Sequence, residues 1–313
     1  MIRDQITAVI CAHNPRPDYF VRVLDALRCQ TLPHGQWGLL VVDNASEADL
    51  RPDVQWHSQA RCIREETLGL TVARLRAIRE TGSELIVFVD DDALIAPDYL
   101  ERALRISRDW PKLGVWGGRL LPEFEREPPA WTREFWPLLA LRQFDADYWS
   151  NMDVPLDMLP CGAGICVRRA VAIAYAESVS HDPVRLGLDR KGTSLMSAGD
   201  SDLALTAGDV GLGIGMFRDL SVSHLIPPSR LTEDYLLNLA ESIHYSSTIL
   251  LGRRNRLTSI KTPGRWRWWC GMIRRRLTMA ARPRRFVEAK MRGRQRAIRE
   301  VASWRNGTAP SCV

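Results

Sequence analysis

Three consecutive aspartates, Asp90, Asp91 and Asp92, follow a short apolar run at 85–89 that is rich in β-branched residues. The run is too short for an ordinary helix and predicts a strand that is buried on both faces of a sheet. If the strand conformation persists, Asp90 and Asp92 point one way and Asp91 the other. Two converging carboxylates repel each other unless a cation lies between them, and hard oxygen ligands suit Mg²⁺ or Mn²⁺. The stretch therefore predicts a divalent-metal site that could hold a diphosphate, with a solvated acidic turn as the alternative.

Further candidates for such a site lie downstream. Asp200 stands near the start of a predicted helix, where an aspartate is either an N-cap or a catalytic base. His224 comes just beyond a predicted strand at 214–222, where a third metal ligand would be wanted, although a lone histidine is usually structural. Gly162 and Gly164 precede another short predicted strand and allow a ligand or a second backbone to approach closely.

The elements that must position these residues alternate between strands and helices. Apolar patterns predict strands at 6–12, 39–42 and 85–89, an edge strand near 54–57, and helices from about Asp18, over 68–80 with Arg74 facing outward, and after Pro97. This order is the opening of a doubly wound α/β sheet, whose ligands bind outside the carboxyl ends of the strands. We therefore expect Asn14, Asp43 and Asp90 to lie at one edge and to form a nucleotide site.

The segment from Trp110 to Trp149 lacks this periodicity and is rich in tryptophan and proline. An indole face packs well on the C–H face of a sugar ring, so tryptophans such as Trp131 could line an acceptor cleft. The alternative for any one of them is a core position under a long loop.

The composition of the 313 residues, with 45% apolar and 26% charged residues, is ordinary for a globular protein. The seven cysteines are scattered and nowhere spaced as CxxC, which indicates reduced thiols. No stretch approaches the roughly 18 uncharged apolar residues of a membrane span, and the N-terminus lacks the apolar region of a signal peptide. These features predict a cytoplasmic protein.

The net charge of +6 is unevenly distributed. Residues 252–313 contain 18 Lys and Arg and 2 acidic residues, a net +16, which leaves −10 for residues 1–251. Within this tail, apolar residues at 264–281 recur at helical spacing with arginines largely elsewhere, the pattern of a basic amphipathic helix in a membrane interface. We predict that residues 264–299 dock on the anionic inner face of the cell membrane; the alternatives are packing on the acidic body and, less favoured, nucleic-acid binding.

The order of these features resembles the family 2 glycosyltransferases, which have the GT-A fold. The resemblance covers roughly residues 5–235 and is carried by seven pieces in the right order: 6–14, 41–46, 68–74, 87–92, 162–164 with Arg168 and Arg169, 199–203, and Ser223-His224 before Pro227 and Arg230. The sequence departs from the family at Gly199, which is usually glutamate, and at Thr206, which is often arginine.

The resemblance implies a Rossmann-like, mostly parallel central sheet flanked by helices. It implies a GT-A catalytic domain at 1–235, with a nucleotide-sugar half at 1–109 and an acceptor half at 110–235, followed by a basic helical extension at 236–313. In the donor site, Asp43 would contact the uracil or ribose, Asp90 would lie near the ribose, and Asp92 and His224 would hold the metal on the diphosphate. Asp200 matches the general base; Asn14, Arg74 and Asp91 are further donor-site candidates, and Trp131, Gly162 and Arg230 are acceptor-site candidates.

The function expected from these residues is metal-dependent, inverting transfer of a sugar from a nucleotide sugar, most simply a UDP-sugar, to a hydroxyl of a glycan, a lipid-linked acceptor or another cell-surface precursor. One alternative is a sugar-phosphate nucleotidyltransferase, but the loop at 13–17 is not the glycine-rich, basic loop that a triphosphate requires. Another is a non-catalytic protein that binds nucleotide sugars or nucleic acid, which would not need Asp92, Asp200 and His224 together.

Overall fold

The computed structural model describes residues 5–257 and 278–305. The chain forms two compact units, one made of residues 1–187 and 199–228 and the other of residues 188–198 and 229–313. The first unit contains the sheet and the aspartate-rich stretch, and the second contains two long helices among its described residues.

Nine strands of the described residues form one sheet in the first unit. They are β1 (Ile6–Ala12), β2 (Trp37–Asn44), β3 (Ala60–Glu65), β4 (Leu85–Val89), β5 (Ala93–Ile95), β6 (Leu113–Phe124), β7 (Tyr148–Ser150), β8 (Ile165–Arg168) and β9 (Gly213–Ile226). The strand order is β3-β2-β1-β4-β8-β6-β9-β5, and β7 pairs with β9. Strands β1 to β4 pair in parallel, β8 is antiparallel to both β4 and β6, and β9 is parallel to β6. The carboxyl ends of β1, β2, β4, β6 and β9 therefore point to the same edge.

Helices connect these strands. The first unit has α1 (Pro17–Arg28), α2 (Leu70–Glu80), α3 (Tyr99–Asp109), α4 (Arg169–Val179), α5 (Pro183–Leu186) and α6 (Gly199–Asp209). The second unit has α7 (Glu233–Arg253) and α8 (Ala281–Arg305). Short 3₁₀ segments lie at His34–Gln36, Ala130–Leu139, Leu156–Met158 and Pro228–Leu231.

The core explains why the central strands are continuous apolar runs in the sequence. Strands β2 and β4 are buried along their whole length, and β1 is buried except at Cys11. Such strands are covered on both faces, so they lack the alternation of polar and apolar residues that a half-exposed strand has. They form a rigid support for the polar residues at their carboxyl ends.

Three sequence predictions of local structure are corrected. The strand conformation does not persist through the aspartates: β4 ends at Val89, and the Ala93 N–H donates to the Asp90 carbonyl at 3.1 Å, which closes a turn. No strand forms at 54–57, where the His57 N–H donates to the Val54 carbonyl at 3.0 Å; the edge strand is β3. The tryptophan-rich segment contains the 12-residue strand β6, with Trp116 fully buried in it.

In the second unit, α7 and α8 pack along each other. The buried side of α8 consists of apolar and small residues: Phe286, Ala289, Gly293, Ala297, Ile298 and Val301. Three arginines of α8 pair with acids of α7: Arg282 and Arg285 with Glu233 at 3.0 and 2.6 Å, and Arg292 with Glu241 at 2.9 Å. Most of the amphipathic helix predicted at 264–281 lies outside the described residues. Among the helices that the structure does describe, none has the length and apolar character needed to cross a bilayer.

Candidate active site

The loops that follow β1 and β2 are fastened to each other at the carboxyl edge of the sheet. Asn14, which has a left-handed φ of 46°, donates its backbone N–H to the Ser46 hydroxyl at 3.0 Å. The Asn14 side-chain oxygen accepts the N–H of Glu47 at 2.9 Å. Asn14 thus lies at the predicted edge, and its hydrogen bonds hold the two loops together.

Asp43 is buried at the end of β2 and is held on both carboxylate oxygens. It accepts the backbone N–H of Ser46 at 3.0 Å and of Leu50 at 3.1 Å, and the Arg64 guanidinium at 2.7 Å. Burial alone would raise the pKa of Asp43, but these hydrogen bonds outweigh it and hold that pKa below its ordinary value. Asp43 is therefore an anion that organises the loop after β2, and its contact with a nucleotide stays a prediction.

Asn44, which the sequence analysis did not single out, clamps the segment that leads into α2. Its side-chain oxygen accepts the Gly69 N–H at 2.8 Å, and its amide donates to the Thr67 carbonyl at 2.8 Å. Gly69 precedes α2 with a φ of 146°, a backbone conformation that favours glycine. The sequence did contain one sign of this role, because Asn44 is a polar residue at the end of an apolar, buried strand.

Arg74, on α2, is buried, which corrects the prediction that it faces outward. Its guanidinium lies over the Phe88 ring, 5.8 Å from the centroid. Its positive charge favours the ionised form of Asp90, which follows the end of β4. The inward face of α2 thus places a cation at the carboxyl edge of the sheet.

The pKa of Asp90 depends on several of the other predicted site residues. Burial raises the pKa of its carboxyl above the ordinary value. The charge of Arg74 opposes this rise, Asp92 adds to it, His224 opposes it and Asp200 adds to it. Four other predicted site residues therefore act on Asp90. Asp91, like Asp90, is partly exposed.

Asp92 and His224 are brought together by the pairing of β5 with β9. Ala93 lies opposite His224 in the antiparallel register, and the Leu225 N–H donates to the Asp92 carbonyl at 2.9 Å. The His224 Nε2 lies 3.5 Å from the Asp92 Oδ2, and both side chains are about nine-tenths buried, at 10% and 12% exposure. The His224 Nδ1 lies 3.1 Å from the Leu139 carbonyl oxygen. Because a carbonyl can only accept, Nδ1 carries a hydrogen and Nε2 is the atom that faces the carboxylate.

This pair fits one side of a divalent-metal site. A histidine that donates one ring N–H to a carbonyl, with its other nitrogen beside a carboxylate, has the arrangement typical of metal-ligating histidines. No cluster of three His, Cys, Asp or Glu side chains suited to a metal occurs within residues 5–257 and 278–305. Asp92 and His224 would thus supply two ligands, and a cation held there would take its remaining ligands from water and a bound phosphate.

Asp200 and Gly162 form a further part of the site. Asp200 lies in the first turn of α6, and its Oδ2 accepts the Gly162 N–H at 2.9 Å. A Cβ atom at position 162 would lie 2.4 Å from Nη2 of Arg74 and 3.7 Å from Cβ of Asp200. Gly162 is therefore packed between the cation of α2 and the carboxylate of α6, where a larger residue would not fit without movement.

Comparison with known proteins identifies the chain. The model of the glycosyl transferase family 2 matches residues 7–165, just over half of the 313 residues. The chain belongs to glycosyltransferase family 2. A Bacillus subtilis (strain 168) protein, EpsH, whose name carries a provisional glycosyltransferase assignment, is 28% identical over 109 residues, 33% of this chain and 30% of EpsH.

Solved structures share the fold of this family 2 glycosyltransferase. The 1–349 fragment of S. aureus TarS in complex with UDP has a TM-score of 0.52 and 15% identity, covering 97% of this chain and 92% of that one. A structure titled S. aureus TarS has a TM-score of 0.50 and 14% identity, covering 96% of this chain and 55% of that one. The expected GT-A architecture is thereby confirmed, although its sheet is parallel in the β1–β4 half and mixed in the other.

A second aspartate of the family 2 glycosyltransferase, Asp202, has a different environment from Asp200. It is fully buried and binds the Arg185 guanidinium through both oxygens, at 2.7 and 3.1 Å. Two aspartates two residues apart therefore differ in partner: Asp202 anchors α6 to α5, and Asp200 contacts Gly162.

The predicted acceptor residues belong to different elements. Trp131 is half-buried in the 3₁₀ segment Ala130–Leu139 and lies edge-on to Phe135, with 6.1 Å between ring centroids. The same segment provides the Leu139 carbonyl that orients His224. Arg230 belongs to the second unit, in the 3₁₀ segment Pro228–Leu231. Their roles toward an acceptor stay predictions.

Proposed function

We propose that this glycosyltransferase is metal-dependent and inverting, and that it moves a sugar from a UDP-sugar to a hydroxyl of a glycan, a lipid-linked acceptor or another cell-surface precursor. The observation that carries the proposal is the Asp92–His224 pair, with 3.5 Å between Oδ2 and Nε2. The choice of UDP is supported by the shared fold of TarS, which was solved with UDP.

The chemistry follows from the charges of the site. A divalent cation bound by Asp92 and His224 would stabilise the negative charge that builds on the leaving diphosphate. Arg74 adds a buried positive charge near the same edge. These groups favour departure of the nucleotide as the bond to the anomeric carbon breaks.

Asp200 is the proposed general base. It would take the proton of the acceptor hydroxyl while that oxygen attacks the anomeric carbon. The Gly162 N–H, donating at 2.9 Å, orients its carboxylate for this step. A single displacement of this kind inverts the anomeric configuration, and it needs no second carboxylate as a covalent nucleophile.

The basic tail is the proposed contact with a membrane surface on the cytoplasmic side. On α8, Lys290, Arg294 and Arg299 have no carboxylate partner among the described residues, unlike Arg282, Arg285 and Arg292. Anionic lipid attracts such residues by about 1 kcal/mol each. Sedimentation with anionic and neutral liposomes at low salt tests this; equal or absent binding to the two would contradict it.

Calorimetric titration with UDP, GDP and dTDP, each with Mn²⁺ and with chelator, tests the donor site. We expect UDP to bind in a metal-dependent manner, and Asp92→Ala to remove the metal dependence. Asp200→Asn is expected to keep UDP binding while slowing transfer, measured as UDP release from a UDP-sugar panel with acceptor extract, by roughly 10²-fold or more. UDP binding that is equally tight in chelator, or normal transfer by Asp200→Asn, would contradict the assignment.

A further inference from the structure

The second unit contains a cavity of ≈ 400 Å³, which is within the range of about 300–1,000 Å³ typical of small-molecule sites. It lies between residues 193–196 and the helices α7 and α8. Its polar lining consists of Thr193, Ser194, Asn238, Glu241, Ser242, Tyr245 and Arg296. Hydroxyl and amide groups of this density are unusual for a pocket that takes an apolar ligand, and they suit a polyhydroxylated one.

The walls of this cavity are fixed by contacts within the second unit. Gly293 brings α8 against the α7 backbone, since a Cβ atom there would lie 2.1 Å from the Glu241 carbonyl oxygen. The segment opposite is tied to α7 by the Ser197 N–H, which donates to the buried Ser246 hydroxyl at 3.3 Å. The cavity is therefore a formed feature of the fold that needs little rearrangement to accept a ligand.

The cavity also carries a positive charge. Arg296 stacks on the Tyr245 ring, with 4.6 Å from its guanidinium carbon to the centroid. No ion pair joins Arg296 to a carboxylate of the described residues, whereas Glu241, the carboxylate of the lining, is paired with Arg292 at 2.9 Å. Stacking occupies the face of the guanidinium, so its N–H edge can still bind an anionic group.

Tyr245 is itself held in place. Its hydroxyl donates to the Glu300 carboxylate, which fixes the ring on which Arg296 rests. Glu300 is thereby engaged through the phenol and Glu241 through Arg292, which leaves Arg296 as the lining charge that has no ion-pair partner among the described residues. The cation and the neutral hydrogen-bonding groups line the same space.

We propose that this cavity binds a saccharide that carries a phosphate or carboxylate group. Arg296 binds the anionic group, and Asn238 and Ser242 of α7, with Thr193 and Ser194 opposite, bind sugar hydroxyls. None of the cavity's lining residues is among those assigned to the donor or to catalysis, and the proposal goes beyond the transfer reaction proposed above.

Glucose 1-phosphate is the probe, with glucose and inorganic phosphate as comparisons, in ligand-detected NMR titrations of the full chain. The titrations are run with and without saturating UDP and Mn²⁺. We expect saturable binding of glucose 1-phosphate that UDP does not displace, and at least tenfold weaker binding of glucose and of phosphate. Absence of saturable binding, or loss of all binding when UDP is added, would overturn the proposal. Equal binding of inorganic phosphate would also overturn it, because the site would then recognise a bare anion.

Matched variants distinguish binding in the cavity from nonspecific attraction to the positive charge of α8. Arg296→Gln is expected to weaken glucose 1-phosphate binding at least tenfold, whereas Arg299→Gln, on the same helix but outside the lining, leaves it unchanged. Equal weakening by both would show nonspecific attraction to α8 and overturn the proposal. Ser242→Phe, which fills the cavity, should abolish this binding while circular dichroism and UDP binding stay as in the parent. If glucose 1-phosphate binding persists in Ser242→Phe, the assigned cavity is wrong even if the donor site is right.

Discussion

The carboxylate of Asp200 accepts the backbone N–H of Gly162 at 2.9 Å, and the guanidinium of Arg74 packs against the same glycine. A backbone donor orients the carboxylate without a side chain that would occupy the space in front of it. Each carboxylate oxygen has a second lone pair, so Asp200 keeps the capacity to accept a proton. A side chain at position 162 would therefore enter the space that Arg74 occupies beside the proposed base.

Gly162→Ala tests this spacing. The added methyl group would lie 2.4 Å from Arg74 Nη2, so Arg74 or the 162 loop must shift. We expect transfer to fall about tenfold or more, because misplacement of catalytic groups by 1 Å is costly. Gly208→Ala, in α6 with open space around it, is the control and should keep full activity. Kinetics of both purified variants decide the matter; equal activities would show that the spacing is unimportant.

Asn44→Ala tests the clamp before α2. It removes the acceptor of the buried Gly69 N–H and the donor to the carbonyl of the exposed Thr67. We expect the free energy of unfolding to fall by about 1–3 kcal/mol, because that is the cost of a buried group left without a partner. Urea unfolding measures the loss. Asn151→Ala, at an exposed position, is the control. If Asn44→Ala loses no more unfolding free energy than this control does, the proposed structural role of Asn44 is wrong.

The central strands and the aspartate stretch could be predicted from the sequence because burial on both faces leaves a continuous apolar run. The edge strand could not be, since half-exposed β3 has no apolar pattern, while the apolar residues at 54–57 pack in a turn. There, His57 lies against Trp37 with 4.3 Å between ring centroids. Periodicity reports which residues are buried, and it does not distinguish a strand from an aromatic cluster under a loop.

Within the site, the sequence predicts which residues are present, but it does not predict which residue each of them pairs with. Asp43 has its guanidinium partner, Arg64, 21 residues away on β3, and Asp202 has its own, Arg185, on the short helix α5. Neither pairing leaves a local pattern in the sequence. Whether an aspartate serves structure or chemistry is thus decided by contacts that form only when distant elements pack.

Substitutions of Asp202 and Asp200 should have different effects: the first should lower stability, and the second should slow transfer. Asp202→Asn leaves the buried Arg185 without its anionic partner, and breaking a buried ion pair costs about 3–5 kcal/mol of unfolding free energy. Asp200→Asn should leave the unfolding free energy nearly unchanged and abolish most of the transfer. Urea unfolding and kinetics on both variants provide the comparison. A stable Asp202→Asn variant would show that its ion pair is dispensable to the fold.

His57 gives the protein a predictable loss of stability in acid. Its ring is buried, its Nδ1 accepts the Gln59 N–H at 3.2 Å, and its Nε2 has no hydrogen-bond partner among the described residues. Burial, together with the charge of His34, lowers the pKa of His57 to about 4. In the unfolded chain the pKa of a histidine is about 6.5. Between these two values the unfolded state binds a proton that the folded state does not.

The free energy of unfolding must therefore fall as the pH is lowered through this window, because stability rises with pH wherever the unfolded state binds more protons. From pH 7.5 to pH 5, His57 should contribute a loss of about 2 kcal/mol. His57→Phe keeps an aromatic ring against Trp37 but cannot titrate, so its stability should fall by about 2 kcal/mol less over the same range. Urea unfolding of both proteins at pH 5, 6 and 7.5 measures the difference in slope. Parallel pH dependences would mean that His57 already binds its proton in the folded protein.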